Sequence, residues 1–189
     1  MLQFSHFYNL LKCVTLLSVR PPGHHAGWNG HVEGSSSCGF CIFNSVAVGA
    51  LYALEIYKDI IKRVAIIDFD VHHGNGTEEI LKKLNRPDEI FFASSHMYGD
   101  GFYPGSGEHD SIEHNVMNLP ISPLWLCQEL NNMSEPPDFF GRTSFRTQIV
   151  QRLLPALRCF RPDLILISAG YDGCKVGERL ICCFLSKIN

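Results

Sequence analysis

Five short runs of apolar and β-branched residues, each bounded by turn residues, punctuate the chain: VTLLSV (14–19), RVAIIDF (63–69), EIFFASS (89–95), NVMNLP (115–120) and DLILIS (163–168). They read as strands. Between them the apolar positions take a helical spacing, which predicts helices over Ile42–Lys58, Gly76–Leu84 and about Thr143–Phe160, the last kinked by Pro155. In the second helix Glu78 and Glu79 stand one turn before Lys82 and Lys83, a pairing that supports the helix. Strands that alternate with helices, several of them apolar on both faces, predict an α/β fold with a parallel sheet covered on both sides. Ligands of such sheets bind at the carboxyl ends of the strands, so chemistry is expected just after RVAII and DLILIS. The stretch 121–141, with Pro123, Pro136 and Pro137, reads as an irregular surface excursion. No internal repeat or low-complexity tract interrupts this order.

Length and composition narrow the picture without changing it. At 189 residues and 46% hydrophobic content, one globular domain with a sizeable core is expected. A net charge of −3 offers no basic field for nucleic acid or an anionic membrane, so neither is expected as a partner. The eight cysteines (13, 38, 41, 127, 159, 174, 182 and 183) are scattered through apolar stretches, which points to a reducing compartment. Cys38 and Cys41 form a CxxC, but no second CxxC completes a zinc ribbon and no strand precedes it, so buried thiols are the expectation. The apolar N-terminus lacks a basic region and is interrupted by His6 and Lys12, unlike a signal peptide, and LICCFL near the other end is too short to span a bilayer.

The candidate chemistry lies in two stretches. In DFDVHHGNGT (68–77), continuation of the strand would set Asp68, Asp70 and His72 on one face, alternating with Phe69 and Val71. A carboxylate and an imidazole two positions apart can converge on one cation. The competing account is a carboxylate–histidine salt bridge at a strand end. Two neighbouring aspartates without a cation would then bear desolvation and mutual repulsion, which favours the metal. Asp172, after the strand DLILIS, supplies a third ligand, and an Asp/His/Asp set suits zinc or another divalent ion. In RPPGHH (20–25) two prolines and a glycine make a rigid turn that would deliver His24 and His25 into that site as an acid/base pair. His31, further along, reads as a solvated loop residue.

Taken in order, RPPGHHA, GFCIFN, DFDVHHGNGT, FYPGSG and LISAGYD resemble the zinc-dependent histone deacetylase family over about residues 19–172. The resemblance implies an arginase/deacetylase-like three-layer α/β fold with a central parallel sheet of about eight strands, incomplete in this chain. It implies a hydrolase that removes acetyl groups from acetyl-lysine of histones or other proteins, with corepressor partners and a nuclear or cytoplasmic location in chromatin regulation. By position, Asp70, His72 and Asp172 are implied as ligands of one Zn2+. His25 is implied as the base beside Asn75, and His24 as its electrostatic partner beside Asp68. Gly39 and Phe40 with Tyr103 are implied as the walls of an acyl-lysine tunnel, and a structural K+ near Asp68, Asp70, His72 and Ser94. Asn75, where most class I members carry Asp, and the long linker GWNGHVEGSSS resemble class II. The family's oxyanion tyrosine, in a Gly-Gly-Tyr loop beyond the last ligand, has no counterpart here, which would lower the rate by roughly 10²- to 10³-fold. The expected division is therefore an N-terminal apolar segment (1–18), a partial deacetylase domain (19–173) and a divergent tail (174–189). Three other readings follow from the same residues: a non-catalytic fragment that binds metal or a partner, a deacetylase of acetylpolyamines or other small amides, and an arginase-like binuclear manganese hydrolase. The last wants Asp-x-His-x-Asp, whereas Asp70-x-His72 is followed by His73-Gly74.

Overall fold

The computed structural model describes residues 21–99, 101–122 and 139–173. The strand expected at 14–19, most of the excursion at 121–141 and the tail 174–189 lie outside the described residues. Four parallel strands, β1 (Val64–Asp68), β2 (Ile90–Met97), β3 (Val116–Ile121) and β4 (Leu164–Ser168), form one sheet in the order β3-β2-β1-β4. Helices α1 (Ser45–Ile56) and α2 (Asn75–Leu84) precede and follow β1, while α3 (Phe139–Gln148) and α4 (Leu154–Phe160) precede β4.

Alternation along β1 and β2 sorts their side chains to two cores. Val64, Ile66 and Phe92 pack with Ala50, Ala53 and Leu54 of α1 and Leu81 of α2. Ala65, Phe91 and Ala93 pack on the other side with Leu119, Leu153 and the partly buried Leu157 and Phe160. Both faces of β1 and β2 are therefore apolar and covered, as parallel strands require, and each fully buried large side chain contributes roughly 1.5–3 kcal/mol.

Among the boundaries that differ from the sequence expectation, three are larger or bear on the site. Helix α1 begins at Ser45, not Ile42, because the Asn44 side chain accepts the Ala47 N–H (3.1 Å) and so acts as the N-cap. The last helical segment begins at Phe139, and the break expected at Pro155 takes the form of a π turn over Ile149–Leu153. Strand β1 ends at Asp68, so Asp68, Asp70 and His72 do not share one strand face. The Asp70 N–H turns back onto Asp68 Oδ1 (3.1 Å) and the His72 N–H onto Asp70 Oδ1 (2.8 Å), local side-chain bonds that replace the regular strand alternation.

The register decides where the loops emerge. Asp68 is level with Ser94 of β2 and with Ser168 of β4, so β1 and β4 end at one height while β2 continues to Met97.

Candidate active site

The histidine pair occupies the centre of a turn closed by Ala26 N–H to Gly23 O (3.0 Å). That turn is pinned from two sides. The Asn44 amide donates to Ala26 O and to Thr77 Oγ1 (both 3.0 Å), and Thr77 N–H donates to His24 O (3.1 Å). A Cβ at Gly76 would come 2.5 Å from the Ala26 carbonyl, so only glycine lets α2 approach the turn this closely. Helix α1's cap and the first turn of α2 thus fix the two imidazoles, both of them buried.

Although their rings are only 4.0 Å apart, His24 and His25 are in opposite electrostatic environments. His24 Nδ1–H donates to Asp68 Oδ2 (2.8 Å), and Asp68 is fully buried. Burial opposes the charged imidazole, but the field and hydrogen bond of Asp68 prevail and push His24 up to about 9. His25 Nδ1 faces Asn75 Oδ1 (2.8 Å), a neutral acceptor. Burial, reinforced by the charge on His24, pushes His25 down to about 4 and keeps it neutral at pH 7. Since Nδ1–H is the donor to Asn75, Nε2 carries the free lone pair.

The metal candidates Asp70, His72 and Asp172 are brought together, with ligand atoms all within 4.8 Å of one another, although their letters in the sequence span a hundred positions. They arrive on the segments after β1 and β4, and Val71 N–H donates to Asp172 Oδ1 (3.2 Å) to tie the two together. His72 Nδ1 lies 3.0 Å from Asp70 Oδ1 and 2.9 Å from Asp172 Oδ2. Burial disfavours the imidazolium, yet the bonds to Asp172 and Asp70 prevail and raise His72 to about 9. One imidazole nitrogen clasped by two carboxylates is a donor set that fits a divalent cation: the proton between them is what an ion would displace. Gly170 completes the cradle, since a Cβ there would collide with the Asp70 carboxylate. Among the described residues this is the one cluster of its kind. The residues expected around potassium lie at the same edge, with Asp68 and Ser94 paired in register.

The expected tunnel residues are placed differently from one another. Tyr103 meets His25 edge to face with ring centroids 4.9 Å apart, and its hydroxyl donates to Ser37 O (2.7 Å). Gly39 has φ +51, and a Cβ there would run into the His25 ring. Phe40, at φ +63, is 89% exposed at the rim of the site. Sequence reasoning passed over Phe102, whose ring stacks on His72 at 5.2 Å and 8° between planes. It took Glu78 only as a charge pair of the second helix, and it passed over Asn44 and the buried His73, His96 and Asn118. The signal for Asn44, His96 and Asn118 was a polar residue in or beside an apolar run. A cavity of about 600 Å³ lies at the opposite, amino end of the sheet, lined by Arg63, Phe91, Val116 and Phe160 among others, and contains none of the site residues. No helix of the described residues is long and apolar enough to cross a membrane.

Comparison with known proteins places this geometry among relatives. The profile of the histone deacetylase domain matches residues 8–185. Histone deacetylase 14, chloroplastic, of Arabidopsis thaliana is 40% identical over 160 residues, covering 82% of this chain and 31% of the relative. Type-2 histone deacetylase 2 of Dictyostelium discoideum is 36% identical over 168 residues, covering 84% of this chain and 9% of the relative. The crystal structure of the HDA15 HD domain superposes with a TM-score of 0.61 and 34% identity over 87% of this chain and 41% of the other. The chain thus spans less than half the length of each of these relatives.

Proposed function

Because the chain belongs to the histone deacetylase family, we propose that its site hydrolyses the amide of an acetylated lysine side chain. Asp70, His72 and Asp172 would hold one Zn2+, which when bound supplies Lewis-acid polarisation of the acyl carbonyl and acidification of water. The neutral His25, its Nδ1–H fixed on Asn75, offers Nε2 to take a proton from the attacking water and to return one to the departing lysine amine. His24, held as the imidazolium by Asp68, adds a fixed positive charge beside the developing oxyanion. Tyr103 and Phe102, with Phe40 at the rim, suit the methylene stem of the substrate and exclude water from it. K+ at Asp68, Asp70, His72 and Ser94 would brace the strand ends.

The observation that carries this reading is the split pair: adjacent imidazoles, one bonded to the Asp68 carboxylate and the other to the Asn75 amide, beside a donor set for a cation. One metal is favoured over the binuclear alternative because the position where that pattern wants a second Asp is Gly74, which offers no ligand, while His73 beside it bonds Glu78. Acetyl-lysine of histones or other proteins is the proposed substrate, ahead of acetylpolyamines, and nucleus or cytoplasm the proposed compartment, with corepressors as partners.

Acetate release from an acetyl-lysine peptide by the purified zinc-loaded chain tests the proposal. His25→Ala should lower it by roughly 10²- to 10⁴-fold. A chain that binds zinc but releases no acetate would overturn the catalytic reading in favour of a metal-holding module, and faster turnover of acetylated polyamines would shift the substrate class.

A further inference from the structure

His73 belongs neither to the donor set nor to the proton path, yet it is 1% exposed and fully engaged. Its Nε2 lies 2.9 Å from Glu78 Oε2, and because the carboxylate can only accept, Nε2–H is the donor. Nδ1 is hydrogen-bonded with the Ser106 hydroxyl (2.9 Å). Glu78 is itself held by the Asn118 amide (2.9 Å) and by Lys82. A second buried imidazole, His96, lies 4.6 Å from His73 and donates through Nε2–H to Gly107 O (3.0 Å), while its Nδ1 meets Ser94 Oγ (2.9 Å). Gly107 adopts φ +89, and a Cβ there would come 2.7 Å from the His73 ring, so the chain passes against both imidazoles.

Ser106 and Gly107 end the loop that begins with Phe102 and Tyr103. Phe102 lies flat on His72, Tyr103 stands edge-on to His25, and the Tyr103 hydroxyl anchors the loop's other end to Ser37 O. The loop is therefore fixed at both ends, and the deeper anchor is a buried side chain on the residue immediately after a metal-candidate histidine. We infer that His73, with His96 beside it, is a positioning residue that sets the Phe102–Tyr103 wall over His72 and His25 and thereby selects a long, unbranched substrate stem. This rests on the metal-site reading above, and sharpens it: the step from His72 to His73 would couple the ion site to the stem-binding wall through one backbone unit.

The test separates the wall from the ion. Calorimetry on the zinc-loaded full chain compares acetohydroxamate, a chelator with no stem, with a hydroxamate bearing a six-carbon aliphatic chain. Ser106→Ala, which removes the hydroxyl from the His73 clamp, should weaken the long ligand about 5-fold, the worth of one hydrogen bond, and leave acetohydroxamate within about twofold. Ser106→Thr, which keeps the hydroxyl, should restore the long ligand's affinity. Because Ser106 is on a loop, its variants test the clamp without opening the core around His73. Equal weakening of both ligands by Ser106→Ala, or no weakening of the long one, overturns the inference alone. Failure of the unsubstituted chain to bind either ligand overturns the metal-site reading and the inference with it.

Discussion

His25 Nδ1 lies 2.8 Å from Asn75 Oδ1, while 4.0 Å away the ring of His24 is paired with a carboxylate, Asp68. The difference between an amide and a carboxylate partner is what separates the two imidazoles. Asn75→Asp should therefore raise His25, now pushed down to about 4, because a negative partner within hydrogen-bond distance favours the imidazolium by one or more pH units. NMR titration of the His25 ring would show its midpoint moved upward. The acid limb of the acetate-release profile should move the same way, leaving less active base at a given acidic pH.

The ion site gives a second expectation. Zinc should bind at one equivalent per chain, and Asp70→Asn, which retains an oxygen to accept the His72 N–H, should weaken it by more than the roughly 10- to 100-fold seen for outer partners of a ligand. At zinc 100-fold above its dissociation constant the unsubstituted chain should gain about 2.7 kcal/mol, read as a raised unfolding midpoint that a chelator abolishes. Two equivalents of manganese by metal analysis would instead favour a binuclear site.

Glu78 predicts an acid-sensitive fold. Burial resists its ionisation, but the His73, Asn118 and Lys82 contacts prevail and hold it down to about 2, against 4.5 when unfolded. A carboxyl whose folded value is depressed contributes stability that is complete above the unfolded value and is lost as pH falls from about 4.5 towards 2. Unfolding free energies from urea titrations across that window should fall by an amount on the order of 2 kcal/mol, and Glu78→Gln should be less stable at pH 7 but flatter through the window.

Asn44 joins three elements: it caps α1 through Ala47 N–H and donates to Ala26 O and Thr77 Oγ1. Asn44→Ala should cost about 1 kcal/mol for the cap and a total of about 2–3 kcal/mol once the Ala26 and Thr77 acceptors are left unmet. Denaturant unfolding checks the loss. His25 should also become more mobile in the variant, since the turn that carries it loses its tie to α1.

Strands β1 to β4 and helix α2 were legible because short apolar runs and i, i+4 charge pairs are local signals. The histidine turn and the Asp/His/Asp set were legible as residue types, but not as geometry. Strict alternation from Asp68 to His72 suggested a continuing strand, whereas the aspartate side chains capture the next backbone N–H groups but one and end it. Asn44 looked like part of an apolar helix and is its cap. His73, Glu78 and Asn118 were not readable as a network, because a contact between the end of β1, α2 and β3 is created by the sheet order and leaves no periodic trace in the letters. Phe102 was hidden for the same reason: its partner, His72, is thirty positions away on another strand's loop.

The level register of Asp68, Ser94 and Ser168 divides the molecule into parts that tolerate change unequally. The loops above this line can lengthen or shorten while their anchors stay put. Within β1 a single inserted residue would send Asp68 towards the opposite face and put Ile67 in its place, and a deletion would put Phe69 there, either one uncoupling His24 from its counter-charge. The strands act as rulers for the chemistry above them, and substitutions there are constrained by phase even where hydrophobicity is preserved.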